Sequence, residues 1–315
     1  PSRPLGGQSD GSAQGTGTTL VERSDYTPLV IVGAARSGTN MLRDCLTALP
    51  GFASWDCDEI NAVWRHGHFF RRDDELTAED VRSGNRRIIR CAFNRIAREN
   101  PGTRFVVEKT CANSLRLPFV DAALDDAIFV QIVRDGRDVV PSAAKRWQGE
   151  LELDSREYFL AKARNTPLTD LPLYVGSFVA TRLAKLVGSS DRLRLWGPRY
   201  RGIDDDQRLP LPQICARQWV ACVDRSDAFL ETLPAGRWIR IHYEDFVAEP
   251  ILHLRRILTV LRAEMDDTKL QLATSHIRAG NTSRGLKQET QRLLQPAVPE
   301  MEGTLRRHGY LEATQ

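Results

Sequence analysis

Residues 29–40 read Leu-Val-Ile-Val-Gly-Ala-Ala-Arg-Ser-Gly-Thr-Asn. The apolar run Leu29–Val32 ends at Gly33, which suits a strand buried on both faces of a parallel sheet. Beyond the loop, Met41, Leu42, Cys45, Leu46 and Leu49 share one helical face, and Pro50-Gly51 ends the helix. Gly33 and Gly38 therefore bracket a loop between a strand and a helix. Glycines there let backbone N–H groups converge on an anion, and the helix N-terminus adds a favourable dipole. The glycines have Walker A spacing, but Thr39 stands where the Walker lysine belongs. The fixed positive charge of this loop is Arg36.

Outward from this unit the pattern repeats. Ala127–Val133 is the most strand-like run, Arg104–Lys109 reads as another, and further strands are expected near Phe52–Trp55 and Trp238–Tyr243. Helical spacing marks residues 78–98, about 113–124, the stretch through Val139, Ala143 and Trp147, and a segment carrying Leu254, Ile257, Leu258 and Leu261 behind Pro250. Strands alternating with helices imply an α/β chain: a three-layer P-loop-like fold, with a central parallel sheet flanked by helices. Residues 150–215 break the rhythm with prolines, glycines and Asp204-Asp205-Asp206, and read as a mainly helical and loop insertion outside the sheet. Such insertions often shape a substrate site. Residues 1–19 are rich in Gly, Ser and Thr, so a disordered tail is expected over 1–27 and a single domain over 28–315.

Composition narrows the partners. The 315 residues carry 44 Lys+Arg against 41 Asp+Glu, a net charge of +3, too balanced to suggest a nucleic-acid binder. Six cysteines lie scattered without a CxxC pair, so neither a zinc site nor a disulfide framework is expected. No apolar run is long enough to span a membrane. A cytoplasmic location is the preferred reading, with a Golgi or membrane-anchored lumenal one if an anchor precedes Pro1.

A second anion-binding pattern sits at the end of the best strand, Ile132-Val-Arg134-Asp135-Gly136-Arg137-Asp138-Val-Val-Pro-Ser142. If a helix begins near Gly136, Arg146 shares a face with Ser142, four residues before it. Arg134, Ser142 and Arg146 together suit a dianionic phosphate held by charge-assisted hydrogen bonds. An ordinary helix start with surface arginines has the same composition. Asp135 also stands where a Walker B aspartate would.

These two segments resemble the two nucleotide-binding motifs of sulfotransferases that use 3′-phosphoadenosine 5′-phosphosulfate (PAPS). The first is similar to the 5′-phosphosulfate loop of that family and the second to its 3′-phosphate motif. Glu108-Lys109-Thr110, Trp219 and Tyr243-Glu244-Asp245 before the Pro250 helix extend the likeness, nearest to the tyrosylprotein and carbohydrate branch. Two departures are Ala35, where proline is usual, and Asn40, in place of a second threonine. The resemblance implies that Arg36, Ser37, Gly38, Thr39 and Asn40 bind the 5′-phosphosulfate, and that Arg134, Ser142 and Arg146 bind the 3′-phosphate. It further implies cofactor contact for Tyr243 and a closing loop at Gly280–Gly285 bearing Arg284. The implied cofactor is PAPS, with adenosine 3′,5′-bisphosphate as product and no metal.

Sulfuryl transfer needs a nucleophilic hydroxyl, a base for its proton and positive charge on the departing oxygen. Lys109, at the end of its strand beside the phosphate loop, is expected to supply that charge; a Glu108–Lys109 surface pair is the alternative. Candidate bases follow the second strand: Glu59 first, Asp58 next, then His66 and His68. The acceptor is expected to be a hydroxyl on a carbohydrate or other small molecule, with tyrosine or a phenol possible in principle. Aromatic and cationic residues that suit such a site are Trp64, Arg65, His66 and His68, with Arg192, Arg194, Trp196, Arg199, Tyr200 and Arg201 in the insertion. Two other readings use the same motifs: a Mg-dependent P-loop kinase or NTPase, and a non-catalytic nucleotide-binding protein.

Overall fold

The computed structural model describes residues 25–148, 164–167, 169–172, 176, 196–277 and 292–312. Its strands are β1 (Thr27–Val32), β2 (Phe52–Ala53), β3 (Phe105–Lys109), β4 (Ile128–Val133) and β5 (Trp238–His242). They form a single parallel sheet in the order β2-β3-β1-β4-β5. The chain fills one side of β1 before crossing to the other, so the strand order reverses at β1. Open α/β sheets bind ligands at the carboxyl ends of strands flanking such a switch point.

Alternation along β1 explains both covered faces. Val30 and Val32 point toward Ile89 and Phe93 of α3 (Ser83–Glu99) and Phe119 and Val120 of α4 (Leu117–Ala123). Leu29 and Ile31 point the other way, toward Leu42 and Leu46 of α1 (Thr39–Thr47) and Leu254 and Ile257 of α8 (Pro250–Val260). The β1 side chains from Leu29 to Val32 are fully buried, and each such burial stabilises the fold by about 1.5–3 kcal/mol. A third apolar cluster lies where α5 (Gly136–Trp147), α6 (Leu211–Leu230) and α10 (Val298–Arg307) meet. The remaining helices are α2 (Asn61–Trp64), α7 (Tyr243–Ala248) and α9 (Asp267–Thr274).

The segment read as one helix over 113–124 is divided into a tight turn at Cys111–Leu115 and helix α4. Pro118 has no N–H to continue an earlier helix, so a new one starts around it. The last two residues of the tail expected over 1–27 belong to the fold. Tyr26 is buried and donates to Asn94 Oδ1 at 2.6 Å, and Thr27 already belongs to β1; residues 1–24 lie outside the described residues. Of the stretch 150–215, Leu211 opens α6, whose buried face packs on α5.

Candidate active site

The loop after β1 has the geometry that its glycines suggest. Gly38 caps α1 with φ 90°, and Arg36, a non-glycine, has φ 73°. A Cβ on Gly38 would lie 2.4 Å from Tyr243 Cδ2, and one on Gly33 would lie 2.7 Å from the Ile132 carbonyl. Both positions therefore need glycine for clearance, and Gly38 for its left-handed backbone as well. No side chain caps the α1 N-terminus, and no acidic residue lies in its first turn. Ser37 Oγ is buried without a hydrogen-bond partner among the described residues. A buried hydroxyl beside uncapped helix N–H groups is a cradle for an anion.

The motif after β4 joins this loop directly. Arg36 Nε donates to Ser142 Oγ at 3.0 Å, and Arg134 Nη1 donates to the Arg36 carbonyl at 3.3 Å. The Arg134 guanidinium lies over the Tyr243 ring, 4.2 Å from its centroid. Asp135 points elsewhere. It caps α5, accepting from Arg137 N at 2.8 Å and pairing with the Arg137 guanidinium, so it does not occupy a Walker B role.

β3 supplies the next group. Its alternation separates Glu108 and Lys109 onto opposite faces, and both are buried, which overturns the surface-pair alternative. Lys109 Nζ lies 2.9 Å from Asp58 Oδ1 and 3.3 Å from Glu59 Oε1. Burial opposes the ammonium charge, but neighbouring Cys111, Glu59 and Asp58 hold its pKa above the ordinary lysine value. Asp58 Oδ1 also accepts from Arg43 Nη1 at 3.1 Å, and Glu59 Oε1 from Cys111 N at 3.2 Å. Arg36, Thr39, Asn40, Asp58, Glu59, Lys109, Arg134, Ser142 and Tyr243 all line one cavity of about 310 Å³.

The sequence profile of the sulfotransferase family matches residues 28–171 and 189–267, most of the chain. The chain belongs to the sulfotransferase family. Among solved structures, a sulfotransferase from Mycobacterium avium aligns with TM-score 0.53 at 11% identity, covering 90% of this chain and 77% of that one. A sulfotransferase from Alicyclobacillus acidocaldarius gives TM-score 0.46 at 16% identity, covering 89% and 96%. A mouse sulfotransferase complexed with PAP gives 0.41 at 11% identity, covering 89% and 86%. At these identities the likeness shows the fold alone. A search of curated proteins returned no significant match.

Sulfuryl transfer is thus the general chemistry of this sulfotransferase. A second cavity, of about 420 Å³, opens on the other side of Glu59 and is lined by Ile60, Ala62, Phe69, Asp170 and Arg199 among others. Glu59 lines both cavities. Its side chain is 26% exposed, and the bonds from Lys109 and Cys111 N both fall on Oε1.

The remaining sequence candidates fall in several places. Arg146 is buried on α5 and is not part of the lining of the first cavity, whereas Trp196 is. Arg284, with the whole stretch 278–291, and also Arg192 and Arg194, lie outside the described residues. His66 Nδ1 sits 2.7 Å from Asp170 Oδ2, and His68 Nε2 3.1 Å from the Asp80 carbonyl, where burial lowers its pKa. Trp64 is fully buried. Tyr200 is buried with its hydroxyl on Asp206 at 2.6 Å, while Arg201 donates from its backbone to Glu75 Oε1 at 2.9 Å.

Two residues named only for the family likeness, Trp219 and Glu108, prove to support the site. Trp219 Nε1 donates to the Arg134 carbonyl at 3.1 Å, fixing the backbone that aims this guanidinium. Beneath β3, the Glu108 carboxylate accepts from Trp64 Nε1 at 3.0 Å and Asn113 Nδ2 at 2.8 Å, and also from Thr110 Oγ1. Thr110 Oγ1 in turn receives Ile60 N at 3.3 Å, directly after Glu59. The signals for this network were a charged residue inside a strand that must be buried and the Glu108-Lys109-Thr110 likeness. Among the described residues, no group of three His, Cys, Asp or Glu is placed to hold a metal ion, and no helix is long and apolar enough to cross a membrane.

Proposed function

We propose that this sulfotransferase uses PAPS as donor and a small-molecule hydroxyl as acceptor, carbohydrates and phenols both falling within that class. The observation that carries this reading is the Arg36–Ser142 hydrogen bond of 3.0 Å, which joins the two anion-binding motifs on one cavity also lined by Lys109. The cradle fits such a donor: an unpartnered buried Ser37 hydroxyl, an uncapped helix N-terminus and Gly38 clearance. When bound, PAPS supplies a sulfuryl group whose transfer to the acceptor oxygen releases adenosine 3′,5′-bisphosphate.

Arg36, Ser37, Gly38, Thr39 and Asn40 hold the 5′ end of the nucleotide, and Arg134 and Ser142 hold its 3′-phosphate, with Arg146 buried behind them on α5. Tyr243 supports both, with Gly38 against its ring and Arg134 above it. Lys109 stabilises negative charge on the leaving oxygen, a contribution worth more inside a water-poor cavity than in solvent. Glu59 takes the acceptor proton at Oε2, while Lys109 and Cys111 N steady Oε1. Its place between the two cavities supports Glu59 over Asp58, which is held by Lys109 and Arg43 on the donor side. The residues that extend the likeness to the tyrosylprotein and carbohydrate branch include Lys109 and Tyr243, both in this lining.

Calorimetric titration with adenosine 3′,5′-bisphosphate, against ATP with Mg²⁺, tests the donor assignment. The bisphosphate is expected to bind at least about tenfold tighter, each well-placed charge-assisted hydrogen bond being worth roughly that factor. Equal or stronger binding of ATP would return the site to the kinase reading. Transfer of labelled sulfate from PAPS to an acceptor library, absent in Glu59→Ala, separates an enzyme from a nucleotide-binding protein.

A further inference from the structure

The second cavity carries an unbalanced charge at a defined place. Asp74, 1% exposed, faces three guanidinium groups: Arg65 at 2.6 Å, Arg116 at 3.7 Å and Arg199 at 3.9 Å. One carboxylate offsets one of these charges. Arg65 is further occupied by the carbonyls of Asp73, His68, Phe69 and Arg71. Arg116 donates to Asn113 Oδ1 at 2.8 Å and Asn61 Oδ1 at 2.6 Å. The Arg199 guanidinium donates no hydrogen bond among the described residues, lies in the cavity wall and is 28% exposed.

Asp204 and Asp73 also act on Arg199 from farther off, whereas three other acids near this wall are engaged elsewhere. Glu59 is held by Lys109, Asp170 lies 2.7 Å from His66 Nδ1, and Glu75 lies 2.9 Å from Arg225. Burial, with Arg65 nearby, lowers the Arg199 pKa against the pull of Asp74, Asp204 and Asp73, and the group stays charged at neutral pH. Ile60, Ala62 and Phe69 give the wall an apolar part, beside the polar Asn61, Asn165 and Thr166. Phe70, 84% exposed, packs edge-on against Phe69 with ring centroids 5.5 Å apart, extending the apolar surface outward.

We infer that the acceptor is an amphipathic hydroxy acid: its hydroxyl at Glu59, its apolar body on Ile60 and Phe69, and its anionic group on Arg199. The assignment of the hydroxyl to Glu59 rests on the function proposed above; the anion at Arg199 does not. A cavity of about 420 Å³ suits a small organic molecule. A carboxylate aimed at a guanidinium forms a bidentate pair, which a neutral ester cannot reproduce.

The test uses 4-(4-hydroxyphenyl)butanoate and its methyl ester, with binding followed calorimetrically with and without saturating adenosine 3′,5′-bisphosphate. Wild-type protein is expected to bind the acid about tenfold or more tighter than the ester. Arg199→Gln should collapse that ratio toward one, Arg199→Lys should restore part of it, and bisphosphate affinity should be unchanged in both. An ester that binds as well as the acid overturns the inference. So does a ratio that survives Arg199→Gln, or failure of both probes to bind at millimolar concentration. A preserved acid preference without any bisphosphate binding would instead sink the donor assignment alone.

Discussion

Arg36 and Ser142 touch, at 3.0 Å, across 106 positions of sequence. One belongs to the loop after β1 and the other to the first turns of α5 after β4, neighbours in the sheet. The bond places the guanidinium of the glycine loop against a hydroxyl of the motif after β4. Single substitutions Arg36→Ala and Ser142→Ala are each expected to weaken adenosine 3′,5′-bisphosphate binding, Arg36→Ala by about 1.5–3 kcal/mol and Ser142→Ala by less. Because the two residues share one contact, the double variant should cost less than the sum. Strict additivity in the calorimetric cycle would mean that the contact has no part in binding.

Glu59 and Asp58 stand side by side on Lys109, yet Glu59 alone of the two borders the second cavity. Glu59→Gln is expected to lower kcat for labelled sulfate transfer by about 10²–10⁴, the usual worth of a positioned base. Asp58→Asn should cost far less. Bisphosphate affinity, measured in parallel, should change little in either variant. A larger kcat loss in Asp58→Asn would move the proton to that carboxylate.

Gly38→Ala tests the cradle through backbone and clearance together. The left-handed φ of 90° costs a residue with a Cβ about 1–2 kcal/mol, and the new methyl would meet the Tyr243 ring at 2.4 Å. Displacing that ring also removes the surface on which Arg134 stacks. The expected result is loss of the thermal shift given by bisphosphate, with the melting temperature of the free protein lowered only modestly. A full ligand-induced shift in this variant would show that the loop accepts its anion without this geometry.

Strand and loop positions were legible because they depend on local pattern. Leu29–Val32 is apolar at every position, and Gly33 and Gly38 announce a turn whatever surrounds them. What α6 does was not legible. Its buried positions Ile214, Cys215, Trp219, Cys222 and Leu230 keep helical spacing, but prolines and charges before Leu211 masked the start. That Trp219 reaches the Arg134 carbonyl depends on how α6 crosses α5, which no window of sequence contains. Glu108 shows the same limit more sharply. Its partners Trp64, Thr110 and Asn113 come from two separate segments, so a strand residue for which a surface pair stood as the alternative is a fully buried anchor.

Trp219→Phe keeps the packing volume nearly constant and removes one hydrogen bond to a buried carbonyl. Leaving that carbonyl unsatisfied should cost about 1–3 kcal/mol of stability, read as a lower denaturation midpoint at unchanged m-value. Arg134 loses its backbone restraint, so bisphosphate affinity should fall as well. A variant with wild-type affinity would restrict Trp219 to a packing role.

Glu108 gives the fold a pH dependence of definite sign. Burial is the largest influence and raises its pKa to about 7, against donors from Thr110 and Trp64 and the charge of Arg116, which pull it down. A carboxyl whose folded pKa exceeds its unfolded value of about 4.3 binds its proton more tightly in the folded protein. Its contribution is fully present below the unfolded pKa and is lost as pH rises toward 7. Across that window the slope from this one group approaches at most about 1.4 kcal/mol per pH unit. Glu108→Gln cannot ionise, so its denaturation midpoint should fall less between pH 4.5 and 7 than that of the wild type, whatever its absolute stability. Parallel pH profiles for the two proteins would mean that Glu108 stays ionised beneath the sheet, its three donors outweighing burial.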